Sequence, residues 1–275
     1  MRERRLERHA HGDTLLYEPV RTKILLKRRA GRHWLLRVQA HTDYEPGQFF
    51  QVTRLGFGEA PISIASYSDK HIDLLINPVG TVTEEIVRMK PGEHLLLRGP
   101  FGYGYPMHYF FNNNILLIGG GCGVAPLKGV MEYIAQHRKH YKHVACFFGY
   151  RTPEETLFKQ EMRHWEREGT FSFVYAYSDV DDGFTGNKGY VTTYLEQSGI
   201  APQQTIALLC GPPGMMTAAV ASLEKLGFKD DQIFVSNERH MKCATGMCGH
   251  CMIEEKYTCH DGPVFRWDQI KNKKG

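Results

Sequence analysis

Four cysteines crowd together near the carboxyl end of the chain, and their spacing limits what this segment can form. They account for four of the seven cysteines in 275 residues and stand at Cys243, Cys248, Cys251 and Cys259. The first two intervals, of four and two residues, match the ligand spacing of plant-type [2Fe–2S] proteins. The last interval, of seven residues, is shorter than those proteins use. We therefore expect a tight hairpin, Met252–Thr258, that returns Cys259 to the metal.

Zinc is the alternative occupant of this segment. A zinc ribbon usually has two Cys-x2-Cys knuckles and only one is present here, but His250 and His260 offer further ligands. Gly246 is free to adopt a positive φ, so the loop can curl around inorganic sulfide. Seven unevenly placed cysteines are too few for a disulfide scaffold, and in a reducing cytoplasm the clustered ones are expected to bind metal. An iron–sulfur cluster is favoured, and zinc stays open.

Two different patterns of apolar residues precede the cysteines. Short β-like runs up to residue 111, broken by turns such as Glu45-Pro46-Gly47, predict a small antiparallel barrel. From residue 112, apolar strands alternate with helical patterns, including a helix over Pro153–Glu168 and a final strand, Gln232–Val235, that closes the sheet. This alternation predicts a parallel sheet with helices on both faces. We divide the chain into an N-terminal tail (1–19), a β-barrel (20–111), an α/β domain (112–236) and a cysteine-rich tail (237–275).

Two glycine-rich turns predict a dinucleotide site in the α/β domain. Gly119–Pro126 follows an apolar strand and opens a helix, where glycines let the backbone approach a pyrophosphate and helix amides hold its charge. Cys210–Met216 follows a second apolar strand and opens another helix. Both turns lie at the carboxyl edge of the predicted sheet, where open α/β folds bind ligands. A purely structural turn, with Cys210 as a small buried side chain, is the alternative.

These motifs together resemble the ferredoxin–NADP reductase superfamily over about residues 20 to 270. The resemblance rests on Gly-Gly-Gly-x-Gly-x-Ala-Pro, on Cys-Gly-Pro-Pro-Gly-Met and on the preceding barrel. The cysteine tail narrows it to iron–sulfur flavoprotein electron-transfer subunits, such as those of anaerobic sulfite reductase, sulfhydrogenase and dihydroorotate dehydrogenase. It implies FAD, a [2Fe–2S] cluster and NADH as cofactors, with NADPH as the alternative nucleotide. The implied partner is a larger redox subunit of a complex, or ferredoxin.

The resemblance implies that FAD binds at two motifs of the barrel. Relatives use Arg-x-Tyr-Ser, where this chain has Ala60-Pro61-Ile62-Ser63, and Gly-x-x-Ser/Thr, which is intact here. Ser63 matches the serine that donates a hydrogen bond near flavin N5, but the arginine and the aromatic ring are missing. Tyr67, Tyr103 and Tyr105 are the candidates for that ring. The implied flavin contacts are Ala60, Pro61, Ile62, Ser63, Asn77, Val79, Gly80, Thr81, Val82 and Thr83.

The same resemblance places the nicotinamide dinucleotide over the two glycine-rich turns. Ser63 and Cys210 are expected nearest the hydride transfer, Cys210 as a positioning element without an acid–base role. Relatives specific for NADP carry Ser-Arg where this chain has Ser178-Asp179, so the acidic group favours NADH, although Arg151 is an alternative contact for the ribose. The implied contacts are Gly120, Gly121, Gly123, Ala125, Pro126, Arg151, Ser178, Asp179, Cys210, Gly211, Pro212 and Met215.

The composition and charge of the chain argue against nucleic-acid binding and membrane insertion. The net charge of +4 is small and its basic residues are scattered, so nucleic acid is not a predicted partner. The basic run from Arg2 to Arg8 is expected to be a solvated tail. No apolar stretch reaches the roughly 18 residues of a membrane span and no signal peptide is evident, so a cytoplasmic protein is expected. A free-standing NAD(P)H–ferredoxin reductase, a zinc-tailed nucleotide-binding module without redox activity and a redox sensor are the alternatives.

Overall fold

The computed structural model describes residues 18–271 of the chain. The predicted N-terminal tail, residues 1–19, thus lies almost wholly outside the described residues, as does its basic run. The same holds for the end of the cysteine-rich tail, residues 272–275. Within residues 18–271 no helix is long and apolar enough to cross a membrane.

The first part of the chain is the antiparallel β-barrel that the sequence predicts. Its strands are β1 (Val20–Ala30), β2 (His33–Gln39), β3 (Phe49–Arg54), β4 (Gly58–Ser63), β5 (His71–Ile76) and β6 (His94–Phe101). They pair in the order β4-β3-β6-β1-β2-β5, and an antiparallel bridge between Ile64 and Leu74 joins the two ends. The sheet therefore closes on itself at this bridge. Helix α1 (Thr81–Arg88) packs on it through the buried Ile86.

The second part is a parallel sheet with helices on both faces, as predicted. Its strands are β7 (Asn114–Gly120), β8 (Val144–Tyr150), β9 (Ser172–Tyr177), β10 (Thr205–Cys210) and β11 (Ile233–Ser236). Its helices are α2 (Val124–Gln136), α3 (Lys159–Arg167), α4 (Val191–Gln197) and α5 (Pro213–Lys225). Alternate side chains of β7 point to opposite faces: Leu117 enters the apolar cluster with α2 and α3, and Ile118 the cluster with α4 and α5. Burial on both faces explains why these strands are continuous apolar runs.

The cysteine-rich tail forms a hairpin and then returns to this sheet. Strands β12 (Met252–Ile253) and β13 (Lys256–Tyr257) pair antiparallel and helix α6 (Thr258–Asp261) follows, which confirms the predicted hairpin. Strand β14 (Val264–Arg266) then pairs antiparallel with β11. The prediction that Gln232–Val235 ends the sheet is therefore wrong. Strand β11 is buried along its whole length, so its outer backbone groups need a hydrogen-bonding neighbour.

The helix predicted over Pro153–Glu168 is wrong at its start. A 3-10 turn occupies Pro153–Glu155, and α3 begins only at Lys159. Leu157 and Phe158 are both buried in the core, and Phe158 has a φ of 52°. A φ of 52° lies in the left-handed region, which a right-handed helix does not contain, so one regular helix cannot run through Phe158.

Candidate functional site

A cleft between the barrel and the parallel sheet brings together most of the residues predicted for the flavin. One wall is formed by β4 and by the segment that follows β5, and the other by the start of α2 and the segment that follows β11. The predicted residues in its lining are Ala60, Pro61, Ile62, Ser63, Asn77, Val79, Thr83, Ala125 and Pro126. Residues far apart in the sequence thus share one cavity with both polar and apolar walls.

The amino end of α1 offers a place for phosphate groups. Thr81, Val82 and Thr83 are its first residues, and the amides of a first turn have no partners within their helix. The Thr83 hydroxyl accepts hydrogen bonds from the amides of Val79 and Gly80, at 3.1 and 3.2 Å, which holds the turn in shape. Gly80 has an extended φ of −167°, and a Cβ there would meet no protein atom within 4 Å. This open space fits a diphosphate that approaches the backbone closely.

None of the three tyrosines considered for the missing ring is part of the cleft lining. Tyr105 is buried in the core, and its hydroxyl donates to the carbonyl of Leu209 at 3.4 Å. Tyr67 packs edge-on against Tyr133, with ring centres 4.7 Å apart. Tyr103 forms a backbone bridge to the tail beside the cleft.

The cleft is also lined by residues that the sequence analysis did not single out as contacts, among them Phe49, Arg239 and Glu238. Phe49, on β3, places an aromatic ring there, and Arg239 places a cation. The Glu238 carboxyl also faces the cleft, and desolvation raises its pKa. Phe49 follows an apolar strand pattern in which it is indistinguishable from a core residue. The two charged residues carry no local motif, so only their place between sheet and cysteine loop identifies them.

A second pocket lies at the carboxyl ends of β7, β8 and β9. Its volume is about 580 Å³, within the roughly 300–1,000 Å³ of small-molecule sites. Predicted residues in its lining are Gly120, Gly121, Arg151, Ser178, Pro212 and Met215. Arg32, from the turn between β1 and β2, and Tyr190, before α4, also line it. Tyr190 is 74% exposed and offers a ring face to a base, while Arg32 offers a cation to a phosphate.

Asp179 is not part of the pocket lining, but it pairs with Arg151, which is. The Arg151 guanidinium donates to the Asp179 carboxylate at 2.8 Å, and the Asp179 amide donates to the Arg151 carbonyl at 2.8 Å. Both side chains are more than half exposed at the edge of the pocket. The carboxylate thus neutralises the cation that an extra phosphate on the ribose would need.

Two of the predicted glycine contacts are explained by packing within the protein. A Cβ on Gly123 would lie 2.5 Å from the carbonyl carbon of Cys210, and one on Gly211 would lie 2.7 Å from the Met215 methyl group. These glycines let the two turns approach each other. Gly121 differs, because its φ is 52° and a Cβ there would meet nothing within 4 Å. It leaves open space at the mouth of the second pocket.

The two residues predicted to act nearest the hydride lie at different depths. Ser63 is in the lining of the cleft, whereas Cys210 is 1% exposed and burial raises the pKa of its thiol. The thiol in the lining is Cys122, from the first glycine-rich turn. Cys210 lies behind the cleft, where its backbone packs against Gly123. Its role as a positioning element stays a prediction.

Backbone amides in the cysteine loop donate to cysteine sulfurs. The Cys251 and Cys259 sulfurs lie 3.3 Å apart in a buried part of the tail. The Thr245 amide donates to Cys243 Sγ at 3.4 Å and the Gly246 amide to Cys259 Sγ at 3.3 Å. Burial raises the pKa of Cys243, but hydrogen bonds from Thr245 and other loop residues outweigh this and lower it to about 6. The amides thus favour the thiolate form of Cys243, whereas burial and the neighbouring Cys251 raise the pKa of Cys259 to about 12.

The backbone of the cysteine loop turns sharply at two residues. The φ of Gly246 is 76°, which confirms the predicted positive value, and Ala244 is held at 62°, a strained angle for alanine. Cys248 is exposed, and in residues 18–271 no three His, Cys, Asp or Glu side chains are close enough to bind one metal ion. The fit to an iron–sulfur group therefore rests on the chemistry of the donor set, four cysteines with backbone amides that donate to two of their sulfurs.

One apolar cluster connects this loop to the flavin cleft. Phe49 and Phe101 of the barrel pack with Cys251 and Cys259, and Met241 packs against the same cluster. Phe49 and Met241 also line the cleft. The same two side chains thus belong both to the cleft lining and to the cluster that contains Cys251 and Cys259.

Arg98 fastens the cysteine loop to the barrel. Its guanidinium donates to the carbonyl of Cys243 at 3.3 Å and pairs with Glu59 at 2.8 Å. The Arg98 side chain is largely buried, and it lies over the ring of Phe101. The loop is therefore held against the barrel wall that carries Phe49.

Comparison with known protein families finds two matching domains. Residues 117–221 match the oxidoreductase NAD-binding domain. Residues 238–271 match the iron-sulfur cluster binding domain of dihydroorotate dehydrogenase B. The second match covers all four clustered cysteines.

Curated proteins of similar length are similar over most of the chain. Sulfhydrogenase 1 subunit gamma of Pyrococcus furiosus is 35% identical over 240 residues, which cover 84% of this chain and 82% of that protein. The electron transfer subunit of a probable dihydroorotate dehydrogenase B (NAD(+)) from the same organism is 30% identical over 236 residues, covering 86% and 85%.

Solved structures share the fold. The NADH-dependent reduced ferredoxin-NADP oxidoreductase structure, described for flavin-based electron bifurcation, matches with a TM-score of 0.73 and 25% identity over 90% of this chain and 91% of that one. A ferredoxin NADP+ reductase from Neisseria gonorrhoeae with bound FAD and NADP matches with a TM-score of 0.68 and 19% identity, over 80% and 98%.

Proposed function

This chain belongs to the family of electron-transfer subunits that includes sulfhydrogenase subunit gamma and the electron transfer subunit of dihydroorotate dehydrogenase B. We propose that it passes electrons between NADH, FAD and a [2Fe–2S] cluster, and on to a larger redox subunit. When bound, FAD would supply an acceptor for the hydride and a donor of single electrons, and the cluster would supply a one-electron carrier. The chain's own residues bind these groups and hold them at fixed separations.

The observation that carries the proposal is the contact between the flavin cleft and the cysteine loop. Phe49 and Met241 line the cleft and also belong to the apolar cluster around Cys251 and Cys259. A simple structural zinc site has no need of a shared wall with a cofactor cleft. An electron carrier does, because its redox groups have to be close.

The flavin is assigned to the barrel, residues 20–111, and to the cleft beside it. The Ser63 hydroxyl lies in the cleft as a hydrogen-bond donor for the ring, while Ala60, Pro61 and Ile62 form the wall behind it. The amides of Thr81 to Thr83 hold the diphosphate at the amino end of α1. Asn77 and Val79 border the same space. Phe49 takes the aromatic place that the sequence motif lacks.

The nicotinamide dinucleotide is assigned to the domain of residues 112–236, with NADH as the nucleotide. Gly120, Gly121 and Pro212 border its pocket, and Tyr190 and Arg32 offer a ring and a charge to its adenosine half. The pair between Arg151 and Asp179 supports NADH, since a carboxylate that pairs with Arg151 repels a ribose phosphate beside it. Cys122, Ala125 and Pro126 lead from this pocket to the cleft. Cys210 supports that path from behind.

The cluster is assigned to residues 237–275, with Cys243, Cys248, Cys251 and Cys259 as ligands. The [2Fe–2S] type is supported by the four- and two-residue spacing and by the amides that donate to sulfur. The division from the α/β domain is not a clean one, because β14 of this segment is part of the sheet. The tail is thereby anchored beside the strand that leads into the cleft.

The partner is assigned to the side where the cysteine loop faces outward. Cys248 is exposed, and Met247 beside it is 77% exposed. An exposed flexible apolar side chain next to a ligand suits docking of another redox subunit. Clustered thiols stay available for iron only in a reducing compartment, so the cytoplasm is the proposed location.

The test is an anaerobic NADH titration of the purified protein, with flavin, iron, sulfide and zinc measured in the same sample. The proposal expects one FAD, two iron and two sulfide per chain, and bleaching of both the flavin and the iron–sulfur absorbance by NADH. A colourless sample with stoichiometric zinc contradicts it and favours a nucleotide-binding module. Full reduction by NADPH but not by NADH contradicts only the choice of nucleotide. A protein that is purified alone and reduces ferredoxin rapidly favours the free-standing reductase.

A further inference from the structure

A lysine is buried at the interface between the two domains. Lys128 lies on α2, and its side chain is 1% exposed. Its ammonium group donates to the backbone carbonyl of Ala65 at 3.0 Å and to the Asp73 carboxylate at 3.3 Å, both in the barrel. It also donates to Glu132 on its own helix. Lysine is almost never fully buried unless its charge is paired, so these contacts hold it at one place.

The barrel side of the contact is equally fixed. Asp73 on β5 is fully buried, and the Arg37 guanidinium donates to its two oxygens at 2.7 and 3.0 Å. Burial alone would raise the pKa of the Asp73 carboxyl, but the Arg37 hydrogen bonds and the charge of Lys128 hold it below its usual value. Glu132 accepts the backbone amide of Tyr67 at 2.6 Å, which adds a second tie across the interface.

The contact is close to the cleft on both of its walls. Asp73 is two residues before Leu75 on β5, and Ala65 is two residues after Ser63; Leu75 and Ser63 both line the cleft. Lys128 is two residues after Pro126, which lines the opposite wall. A strand and the first turns of a helix are stiff over two residues. The distance between the two walls of the cleft therefore depends on the Lys128–Asp73 contact.

We infer that Lys128 is a positioning residue, which pins α2 to the barrel and so sets the distance between the flavin wall and the nicotinamide wall of the cleft. The inference rests on the proposed function, in which a hydride crosses this space. A displacement of about 1 Å in such a geometry costs up to about a hundredfold in rate. The close approach is supported by Gly129, where a Cβ would lie 2.9 Å from the carbonyl oxygen of Ser66.

The test compares Lys128→Met with Lys139→Met, the same change at an exposed lysine just beyond α2. The holoproteins are mixed anaerobically with NADH in a rapid-mixing instrument, and flavin bleaching is followed over a range of NADH concentrations. Lys128→Met is expected to lower the bleaching rate at saturating NADH by about tenfold or more, with less than about a threefold change in the half-saturating concentration. Lys139→Met is expected to behave as the unsubstituted protein. A Lys128→Met rate within about twofold of it overturns the inference.

A second variant separates positioning from simple destabilisation. Lys128→Met leaves Asp73 and Glu132 without their buried cation, which destabilises the fold. The double variant Lys128→Met/Asp73→Asn removes opposite charges together, and Arg37 is one-third exposed and can turn to solvent. The double variant is expected to regain melting temperature and yet keep the slow bleaching. A rate that recovers together with the melting temperature overturns the inference.

Hydrogen exchange gives a readout that does not depend on NADH oxidation. The Ala65 amide donates to the Asp73 carbonyl at 2.8 Å, and the Tyr67 amide to Glu132. In both Lys128 variants these two amides are expected to exchange faster than in the unsubstituted protein and in Lys139→Met. Unchanged exchange overturns the positioning role of Lys128 even if the protein oxidises NADH. Faster exchange in a protein that is inert toward NADH contradicts the proposed function and leaves the positioning role intact.

Discussion

At the scale of single residues, glycines in similar motifs have different physical causes. Gly123 and Gly211 have no room for a Cβ because another turn of the chain is there. Gly80 has an ordinary extended φ and open space around its Cα. Gly80 is the N-cap residue of α1, a position that favours glycine over alanine, and the open space beside it also leaves room for a close ligand.

The first prediction is that Gly80→Ala weakens FAD binding while the apoprotein stays folded. The added methyl group meets no protein atom but enters the space assigned to the diphosphate. The dissociation constant of FAD is expected to rise by about tenfold or more, while the unfolding free energy of the apoprotein falls by about 1 kcal/mol at most, because alanine is a poorer N-cap residue than glycine. Flavin fluorescence titration and urea unfolding measure the two effects. The control is Gly183→Ala, at an exposed glycine away from the cleft, and equal FAD affinity in the two variants contradicts the assignment.

The second prediction concerns the choice of nucleotide. Asp179→Asn removes the carboxylate that neutralises Arg151 and frees that cation for a ribose phosphate. The ratio of kcat/KM for NADPH to that for NADH is expected to rise by about tenfold, mostly through the KM for NADPH. Steady-state reduction of ferricyanide measures it. Asp181→Asn removes a neighbouring exposed charge without releasing Arg151; an equal effect there means that net charge, and not the pair, determines the choice.

At the scale of elements, the tail is held by its approach to the barrel. A Cβ on Gly102, which follows β6, would lie 2.3 Å from the Gly262 carbonyl oxygen and 2.7 Å from the Pro263 ring. The Tyr103 amide donates to the same carbonyl. Gly262 lies between α6, which carries Cys259, and β14. The barrel therefore positions the cysteine loop from two sides, here and at Arg98.

The third prediction is that Gly102→Ala loosens the cluster more than it strains the backbone. Gly92 has a positive φ of 94° and open space, so Gly92→Ala measures the cost of the angle alone, about 1–2 kcal/mol. Gly102→Ala is expected to cost about 2 kcal/mol more, because the tail has to move away. Thermal unfolding measures the cost, and iron release to a chelator is expected to accelerate only in Gly102→Ala. Equal iron release in both variants contradicts this account.

At the scale of the whole molecule, shared elements place the three proposed sites in an order. The first glycine-rich turn borders the pocket with Gly120 and Gly121 and the cleft with Cys122, while Phe49 and Met241 belong both to the cleft lining and to the apolar cluster around Cys251 and Cys259. The charged contact of Lys128 lies beside the cleft, and the apolar cluster connects the cleft to the cysteine loop. The order of the sites predicts that the last one can be removed while the first two still work.

The fourth prediction tests this order with Cys248→Ser. Cys248 is exposed, so the substitution removes one ligand without disturbing the core. Iron content is expected to fall, and NADH is still expected to bleach the flavin at a rate within about threefold of the unsubstituted protein. Reduction of a one-electron protein acceptor is expected to fall by about tenfold or more. For flavin bleaching, the control is Met247→Ala, at the neighbouring exposed residue. Loss of flavin bleaching in Cys248→Ser, but not in Met247→Ala, contradicts the order.

Much of the fold and part of the site were predictable from local pattern. The alternation of β7 to β11 with their helices, the positive φ of Gly246 and the hairpin before Cys259 each depend on residues close together in the sequence. Strand β14, with three residues, was too short to give a pattern of its own. The break at Phe158 was hidden because helical periodicity continues on both sides of it.

The sequence by itself determined the order of barrel, parallel sheet and cysteine-rich tail, the spacing of the four clustered cysteines and the two glycine-rich turns at the edge of the sheet, because backbone preference acts over a few residues. Only the tertiary structure decided that Phe49 faces the cleft, that Cys122 and not Cys210 is the thiol in its lining, and that Lys128 crosses the domain interface. Lys128 is 55 residues from Asp73, and Arg98 is 145 residues from Cys243. Contacts over such distances are chosen by the packing of whole elements, which no short stretch of sequence records.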